Sequence, residues 1–399
     1  MSPDYVNIKM AAPSGVATNT SFQKKSRGKT AQLPGARPSL QNGQLLISTG
    51  VPSLDFVVGG GLAVGSVLLI EADTYGHYAQ LLLRYFLAEG VMTGQALFLG
   101  SADERPQTIL KNLPCPVEDD PIKKAAQTIK NNEGATFSSE DRMKIAWRYE
   151  HLPKHQSTPS THRFGHFYDL SKPMPTERLS NVPCQCFHLQ DKKSSHRGSP
   201  YQRLFQQIEK QVMEGGFNLL ERQTKDRNIL RIAVDSLGSP LWGEEQAVNQ
   251  HDRHQGAELC QFLHALRALL RNSLAVCVVT MPTHLFADAA VVRRIQRMCD
   301  TAIGLESFAG AEKEKNPVFK EYHGLFHIHQ LPSLNSLCGH MPDTMDLAFK
   351  LKRKKLTIEK LHLPPELPET MSRTQEPVTS AIAPSIGCGS VGGKSKLDF

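Results

Sequence analysis

At 399 residues, 40% of them hydrophobic, the chain is long enough to bury one large core, and one decorated core is expected rather than a string of small domains. The net charge of +7 is held mostly in two places: Lys9, Lys24, Lys25, Arg27, Lys29 and Arg37 face only Asp4 before Ser39, and Lys350, Lys352, Arg353, Lys354, Lys355 and Lys360 face only Glu359 from Phe349 to Lys360. The remainder is slightly acidic, which excludes a uniformly basic nucleic-acid binder and confines any polyanion contact to the arm, the Lys350–Lys355 cluster or a surface shared with partners.

Residues 1–38 are rich in Ser, Thr, Gly, Pro and Lys and lack apolar periodicity, the composition of a disordered basic arm. No apolar h-region opens the chain, and no run approaches the ~18 apolar residues that span a bilayer. The eight cysteines have no repeating spacing, and Cys277 sits inside the apolar run Leu274-Ala-Val-Cys-Val-Val279. A soluble intracellular protein with reduced thiols and no membrane contact is expected.

Residues 39–362 read as one α/β domain. Gly59-Gly-Gly-Leu-Ala-Val-Gly65 leads into an apolar strand, Ser66–Glu71; Tyr78, Leu81, Leu82, Tyr85 and Phe86 then recur at helical spacing up to Gly90, and Gln95–Gly100 is the next strand. Strand, helix, strand in that order predicts a parallel unit. From about Pro114 to Pro200 the rhythm breaks into Pro, His and Ser, with only Lys144–Tyr149 reading as strand, so this stretch is expected to be an insertion. Tyr201–Gly215 and Ala257–Arg271 read as helices. Asn228–Asp235, Leu274–Thr280, Thr301–Ser307, Leu325–Leu331 and Phe349–Ile358 read as strands, and residues 363–399 as a flexible tail.

A glycine-rich entry, strand, turn and helix is the scaffold of a phosphate-binding loop, in which backbone amides cradle phosphate, a Lys reaches the β/γ oxygens and a Ser or Thr hydroxyl meets Mg²⁺. Here the turn reads Glu71-Ala-Asp-Thr-Tyr-Gly-His-Tyr-Ala-Gln80, with one Gly, Gly76, and with His77 or Tyr78 at the Lys place depending on register. Glu71 and Asp73 would put two carboxylates beside a polyphosphate, a repulsion of several kcal/mol. Tight ATP binding in the usual mode is therefore not expected. Asp235, ending Ile229–Asp235, has the form of the metal-ordering carboxylate of a Walker B strand; the order of elements favours that over a simple turn. Ser101-Ala-Asp-Glu104 stands where such ATPases keep a water-activating carboxylate, but its spacing is that of a capping box, which is the favoured reading.

Cys184-x-Cys186 with His188 and His196 lacks a second ligand pair at proper spacing, so no metal is assigned. The run Lys350, Lys352, Arg353, Lys354, Lys355 is either a solvated edge guarded against aggregation or a phosphate-tracking strip for RNA.

Several segments carry a resemblance to a known family: Leu62–Glu71, Lys144–Tyr149, Arg163–Asp169, Ser239-Pro-Leu-Trp-Gly243, Thr280-Met-Pro-Thr-His284, Lys360-Leu-His-Leu-Pro-Pro365 and the terminal Lys-Leu-Asp-Phe399. From about residue 39 onward the chain resembles the fourth subunit of the Elongator complex. The resemblance implies an α/β, RecA-like, P-loop-type core with a central, mostly parallel sheet and a degenerate phosphate-binding loop. It implies packing with the fifth and sixth Elongator subunits into a hetero-hexameric ring. That ring binds tRNA and joins the remaining subunits, whose catalytic member places a carboxymethyl-type group on the wobble uridine of certain tRNAs. A non-enzymatic subunit of cytoplasm and nucleus, binding no cofactor itself, is then expected. An active ATPase of recombinase or clock type, and a pure scaffold without RNA contact, are the alternatives.

Overall fold

Val67-Leu-Leu-Ile70 and Ala275-Val-Cys-Val-Val279 are apolar runs without alternation, the pattern of strands covered on both faces, and they lie side by side and parallel in a nine-stranded sheet. The computed structural model describes residues 33–39, 42–117, 164–190, 199–220, 227–243, 256–336 and 339–362.

A small antiparallel sheet of β1 (Ala36–Pro38), β2 (Leu45–Ile47) and β3 (Leu62–Ala63), with α1 (Pro52–Val57) before its last strand, precedes the core. The first crossover is β4 (Val67–Glu71), α2 (His77–Thr93) and β5 (Ala96–Ser101). After α3 (Pro106–Lys111) come the paired β6 (Pro114–Pro116) and β7 (Tyr168–Pro173), then α4 (Thr176–Ser180), β8 (Cys184–His188) and α5 (Pro200–Glu214). Next are β9 (Leu230–Asp235), α6 (Ala257–Arg271), β10 (Ala275–Met281), α7 (Ala289–Met298) and β11 (Thr301–Ser307). The short α8 (Glu312–Lys315), β12 (Gly324–Gln330), β13 (Leu347–Lys352) and β14 (Lys355–Lys360) complete the described chain.

The sheet order is β14-β13-β12-β11-β4-β10-β9-β5-β8. The six strands from β11 to β8 are parallel, and β12, β13 and β14 are added antiparallel. This is the expected α/β architecture with a mostly parallel sheet, consistent with a RecA-like core. One face packs on α1 and α2 through Leu54, Leu82, Leu83 and Phe86; the other packs on α5, α6 and α7 through Leu204, Ile208, Leu263, Leu266 and Ile295. From β4 the chain leaves along the first face, and from β10 along the second, so the carboxyl ends of β4 and β10 form a switch point where open α/β sheets hold ligands.

Buried polar groups tie the layers together. Arg231 of β9, fully buried, donates from Nε to Gln95 at 2.6 Å and from Nη1 to the carbonyls of Ser48 and Phe86 at 2.8 and 3.1 Å. Glu89, buried on α2, accepts from the His166 amide at 3.0 Å and the Tyr168 hydroxyl at 2.7 Å. Burial pushes the Glu89 carboxyl up, but the His166 hydrogen bond, Arg231 and Tyr168 together hold it below its usual value.

Three expectations change. Within the stretch read as an insertion, β6, β7 and β8 are strands, and β8 is the edge strand of the main sheet. Phe349–Ile358 is a hairpin, turning at Arg353 and Lys354, rather than one strand. The capping box at Ser101-x-x-Glu104 is absent: α3 begins at Pro106, its N-cap is Arg105 and no side chain caps it. Lys144–Tyr149 and His196, together with most of the basic arm and all of 363–399, lie outside the described residues. Among the described residues no helix is long and apolar enough to cross a membrane.

Candidate functional site

The turn after β4 resolves the register. Gly76 has φ 71°, and α2 starts at the next residue, which sets His77 where a phosphate loop would carry its Lys and Tyr78 where it would carry its hydroxyl. A glycine is needed here because the left-handed region strains residues with a Cβ.

The amides at the start of α2 are satisfied from within the chain. Asp73, 2% exposed, accepts the amides of Tyr78 and Ala79 at 3.0 and 3.4 Å on Oδ1, while its carbonyl accepts the Gly76 amide at 2.8 Å. Those amides and the positive helix end would otherwise draw a phosphate. His77 is exposed and its ring stacks on Tyr75, with centroids 6.3 Å apart. Tyr78 turns away into the core, its ring 4.6 Å from Phe349 and edge-on to His323. Burial, reinforced by Asp73, raises its hydroxyl above the usual value.

Glu71 points toward α7 and β12. It accepts from Gln296, from the Thr283 hydroxyl at 3.3 Å and from His329 at 3.4 Å. Burial pushes Glu71 up, yet the bonds from His329, Gln296 and Thr283 win and hold it below its usual range, while the bond to Glu71 raises His329. Asp235 lies elsewhere, 3% exposed at the end of β9. It accepts the Thr280 hydroxyl at 3.0 Å and a side-chain bond from Gln80; burial raises it.

The six loop positions therefore do not converge on one point. Asp73 caps α2, Glu71 braces α7, Tyr78 fills the core and Asp235 latches β9 to β10 and α2. Sequence reading missed Gln80 and Arg84, which draw in Glu104: Gln80 Nε2 donates to it at 2.9 Å, and Arg84 lies 3.5 Å away. Both stand on one face of α2, and their spacing of four, i and i+4, within the mainly apolar run Ala79–Ala88 was the available signal.

The basic run sits on the β13–β14 hairpin. Lys350 is paired with Glu321 at 2.6 Å and lies over the Tyr322 ring, and Lys354 is paired with Asp169 at 3.6 Å. Lys352 also helps hold the Glu321 carboxyl below its usual value, and Arg353 and Lys355 make no ion pair with a carboxylate among the described residues. Cys184 and Cys186 point to one face of β8 and share a hydrogen bond, and His188 Nδ1 meets the Ser101 carbonyl at 3.1 Å. Among the described residues no group of three or more His, Cys, Asp or Glu side chains is arranged to hold a metal ion.

The fold is that of an α/β protein with a mostly parallel sheet, consistent with a RecA-like core, in which Asp73 takes the amides at the start of α2. The PAXNEB protein family matches residues 29–399. Over 399 residues the chain is 48% identical to Elongator complex protein 4 of Xenopus laevis, covering 98% of each. It is 47% identical to that of Danio rerio, covering 95% of this chain and 97% of the relative, and 46% identical to that of Homo sapiens, covering 95% and 94%. The chain belongs to the Elongator complex protein 4 family.

Proposed function

We propose that this chain is a non-catalytic subunit of an Elongator complex that handles tRNA. In this reading it pairs with the fifth and sixth subunits in a hetero-hexameric RecA-like ring, in cytoplasm and nucleus, and is required for wobble-uridine modification carried out by another subunit. The carrying observation is full-length similarity to relatives named as Elongator subunits. The site supports the non-catalytic half. A phosphate loop stabilises transferring phosphate with a Lys and a bound metal, and here the Lys place holds the exposed His77, the hydroxyl place holds Tyr78 packed on Phe349, and Asp73 holds the amides. A ring subunit can keep such a fold for its interfaces after its own site is lost.

Tagged full-length chain isolated from its own cells is expected to carry the fifth and sixth subunits in equal amounts. Cells lacking it are expected to lose the wobble-uridine modification from bulk tRNA. Purified chain that hydrolyses ATP alone, with the activity removed by Asp235→Ala, would overturn the non-catalytic assignment; normal wobble modification without the chain would overturn the tRNA role.

A further inference from the structure

The nine-stranded sheet ends on one side at β8, and there its backbone is open. The Pro183 carbonyl accepts the Leu97 amide at 2.9 Å, and the Leu189 amide donates to the Ser101 carbonyl at 3.2 Å. In this parallel pair the odd-numbered residues of β8 therefore turn their amides and carbonyls to β5. Those of Cys184, Cys186 and His188 turn outward, where no strand follows. At the other edge of the sheet, the Leu356 and Ile358 amides are taken by the Tyr85 hydroxyl at 3.2 Å and the Ser53 hydroxyl at 3.0 Å. Among the described residues β8 has no such cover.

Side chains alternate along a strand. Gln185 and Phe187 lie on the α5 side, Gln185 donating to Gln207 at 3.4 Å and Phe187 stacked on Trp242 with centroids 6.3 Å apart. Cys184, Cys186 and His188 share the opposite side. His188 is tied through Nδ1 to the Ser101 carbonyl, and among the described residues no third side chain joins the two thiols into a metal site. What remains is a pair of neighbouring thiols, Cys184 exposed and Cys186 half-buried. The Cys184 thiol donates to the Cys186 sulfur; that bond holds Cys186 below its usual value and, with burial, pushes Cys184 up. Cys277 and Cys299 are buried, and burial raises both. The thiolate is the nucleophile, and access decides whether it can react.

We propose that Cys184 and Cys186 are a reversible modification site, a dithiol at the free edge of the sheet that exchanges with a small-molecule disulfide of the glutathione type. The Cys186 thiolate attacks one sulfur of that disulfide, and a mixed disulfide forms as the first glutathione leaves as a thiolate and takes up a proton. Cys184 then loses its proton to solvent, its thiolate attacks the Cys186 Sγ, and the second glutathione leaves in the same way. The two thiols are oxidised to one disulfide while one glutathione disulfide is reduced to two thiols. Strand residues two apart stand ~6.6–6.8 Å apart by Cα, the upper end of the ~4.4–6.8 Å that bridged cysteines span. Closing the ring therefore puckers β8 at Gln185. The outward backbone of Cys184 and Cys186 is free to follow, whereas Gln185 must loosen its bonds to β5, so the bridge is strained and readily reduced. This inference stands apart from the tRNA reading.

The test uses reduced full-length chain held in buffers of graded glutathione to glutathione-disulfide ratio, then acid-quenched and alkylated. Trypsin releases Leu179–Lys192, which carries Cys184 and Cys186 and no other cysteine, and its mass reports the outcome. Wild type is expected to lose two hydrogens from this peptide as the disulfide fraction rises, and to regain them with dithiothreitol. C184S should stop at the mixed disulfide, with one glutathione on Cys186, and hydrogen exchange across β8 should quicken in the oxidised wild type. The readout on wild type itself does not depend on the variant folding. A peptide that stays reduced in glutathione disulfide, or that gathers glutathione without ever losing two hydrogens, would overturn the proposal. Oxidation of Cys277 at the same rate would make opening of the fold, not the pair, the source of reactivity and would overturn it too.

Discussion

Replacing His77 by Lys restores the side chain that a phosphate loop uses, yet it is expected to leave nucleotide binding undetectable, because Asp73 stays in the seat. A phosphate brought to the start of α2 would lie ~4 Å from the Asp73 carboxylate. At an effective dielectric constant of about 20, two like charges at that distance repel by about 4 kcal/mol, close to a thousandfold in Kd. A charge-assisted bond from the new Lys returns about 1.5–3 kcal/mol, which does not offset the repulsion and the amides already taken by Asp73. The second arm is H77K/D73S, which removes the charge and keeps a short oxygen to cap α2, at a cost of about 1 kcal/mol or less in stability. Titration calorimetry with Mg-nucleotide should show H77K at background and H77K/D73S gaining about two to three orders of magnitude over it. Micromolar binding by H77K with Asp73 in place would refute the reasoning, as would a double variant no better than H77K.

Two further outcomes follow from the buried and half-buried charges. R231M removes the donors to Gln95, Ser48 and Phe86 and leaves Glu89 without its nearby positive charge; breaking a buried arrangement of this kind costs about 3–5 kcal/mol. Urea unfolding checks it, and a loss below ~1 kcal/mol would contradict the role given to Arg231. The Glu71–His329 pair sets a pH window. His329 is raised above 6.5, so its contribution is fully present below 6.5 and fades as pH rises through the folded value; Glu71 is lowered below 4.5, so its contribution is present above 4.5 and fades as pH falls through its folded value. The unfolding free energy of wild type minus that of H329Q, from urea titrations at each pH, should therefore be greatest between pH 4.5 and 6.5 and amount to ~1 kcal/mol or less, since both groups are partly solvated. A difference flat with pH would remove the ion pair from the account.

What the sequence made legible is what local pattern controls. The spacing from Tyr78 to Phe86 located α2, and the apolar runs located β4, β9, β10 and β11. The hairpin was missed because its turn, Arg353-Lys354, carries no Gly, Asn or Pro to mark it. β8 reads Cys-Gln-Cys-Phe-His, too polar to stand out, because an edge strand needs little apolar cover. At Ser101-Ala-Asp-Glu104 the local capping rule lost to tertiary contacts with Gln80 and Arg84, which stand 24 and 20 residues earlier. Arg231 sat inside a strand read simply as buried, and its solvation comes from a carbonyl 183 residues away. Within the loop, composition gave the missing Lys, whereas the closure of the seat by Asp73 depends on a fold-back that only coordinates reveal.

Asp235 is the place where loss of chemistry and retention of form can be separated. A carboxylate that orders a metal must be charged, and Asn in its place weakens the site. A carboxylate that latches elements needs only an acceptor oxygen. Asp235 receives the Thr280 hydroxyl and Gln80, Thr280 in turn accepts the Ser236 amide at 2.8 Å, and burial, with Glu104 and Asp103 nearby, already disfavours its charged form. D235N is accordingly expected to keep both bonds through its amide oxygen and to change stability by less than ~1 kcal/mol. D235A leaves a buried hydroxyl and an amide without their acceptor and should cost about 1–3 kcal/mol, read as a shift in denaturation midpoint at unchanged slope. If D235N proves as damaging as D235A, the charge itself is in use, and a latch made of Thr280, Gln80 and one oxygen does not explain why the strand still ends in Asp.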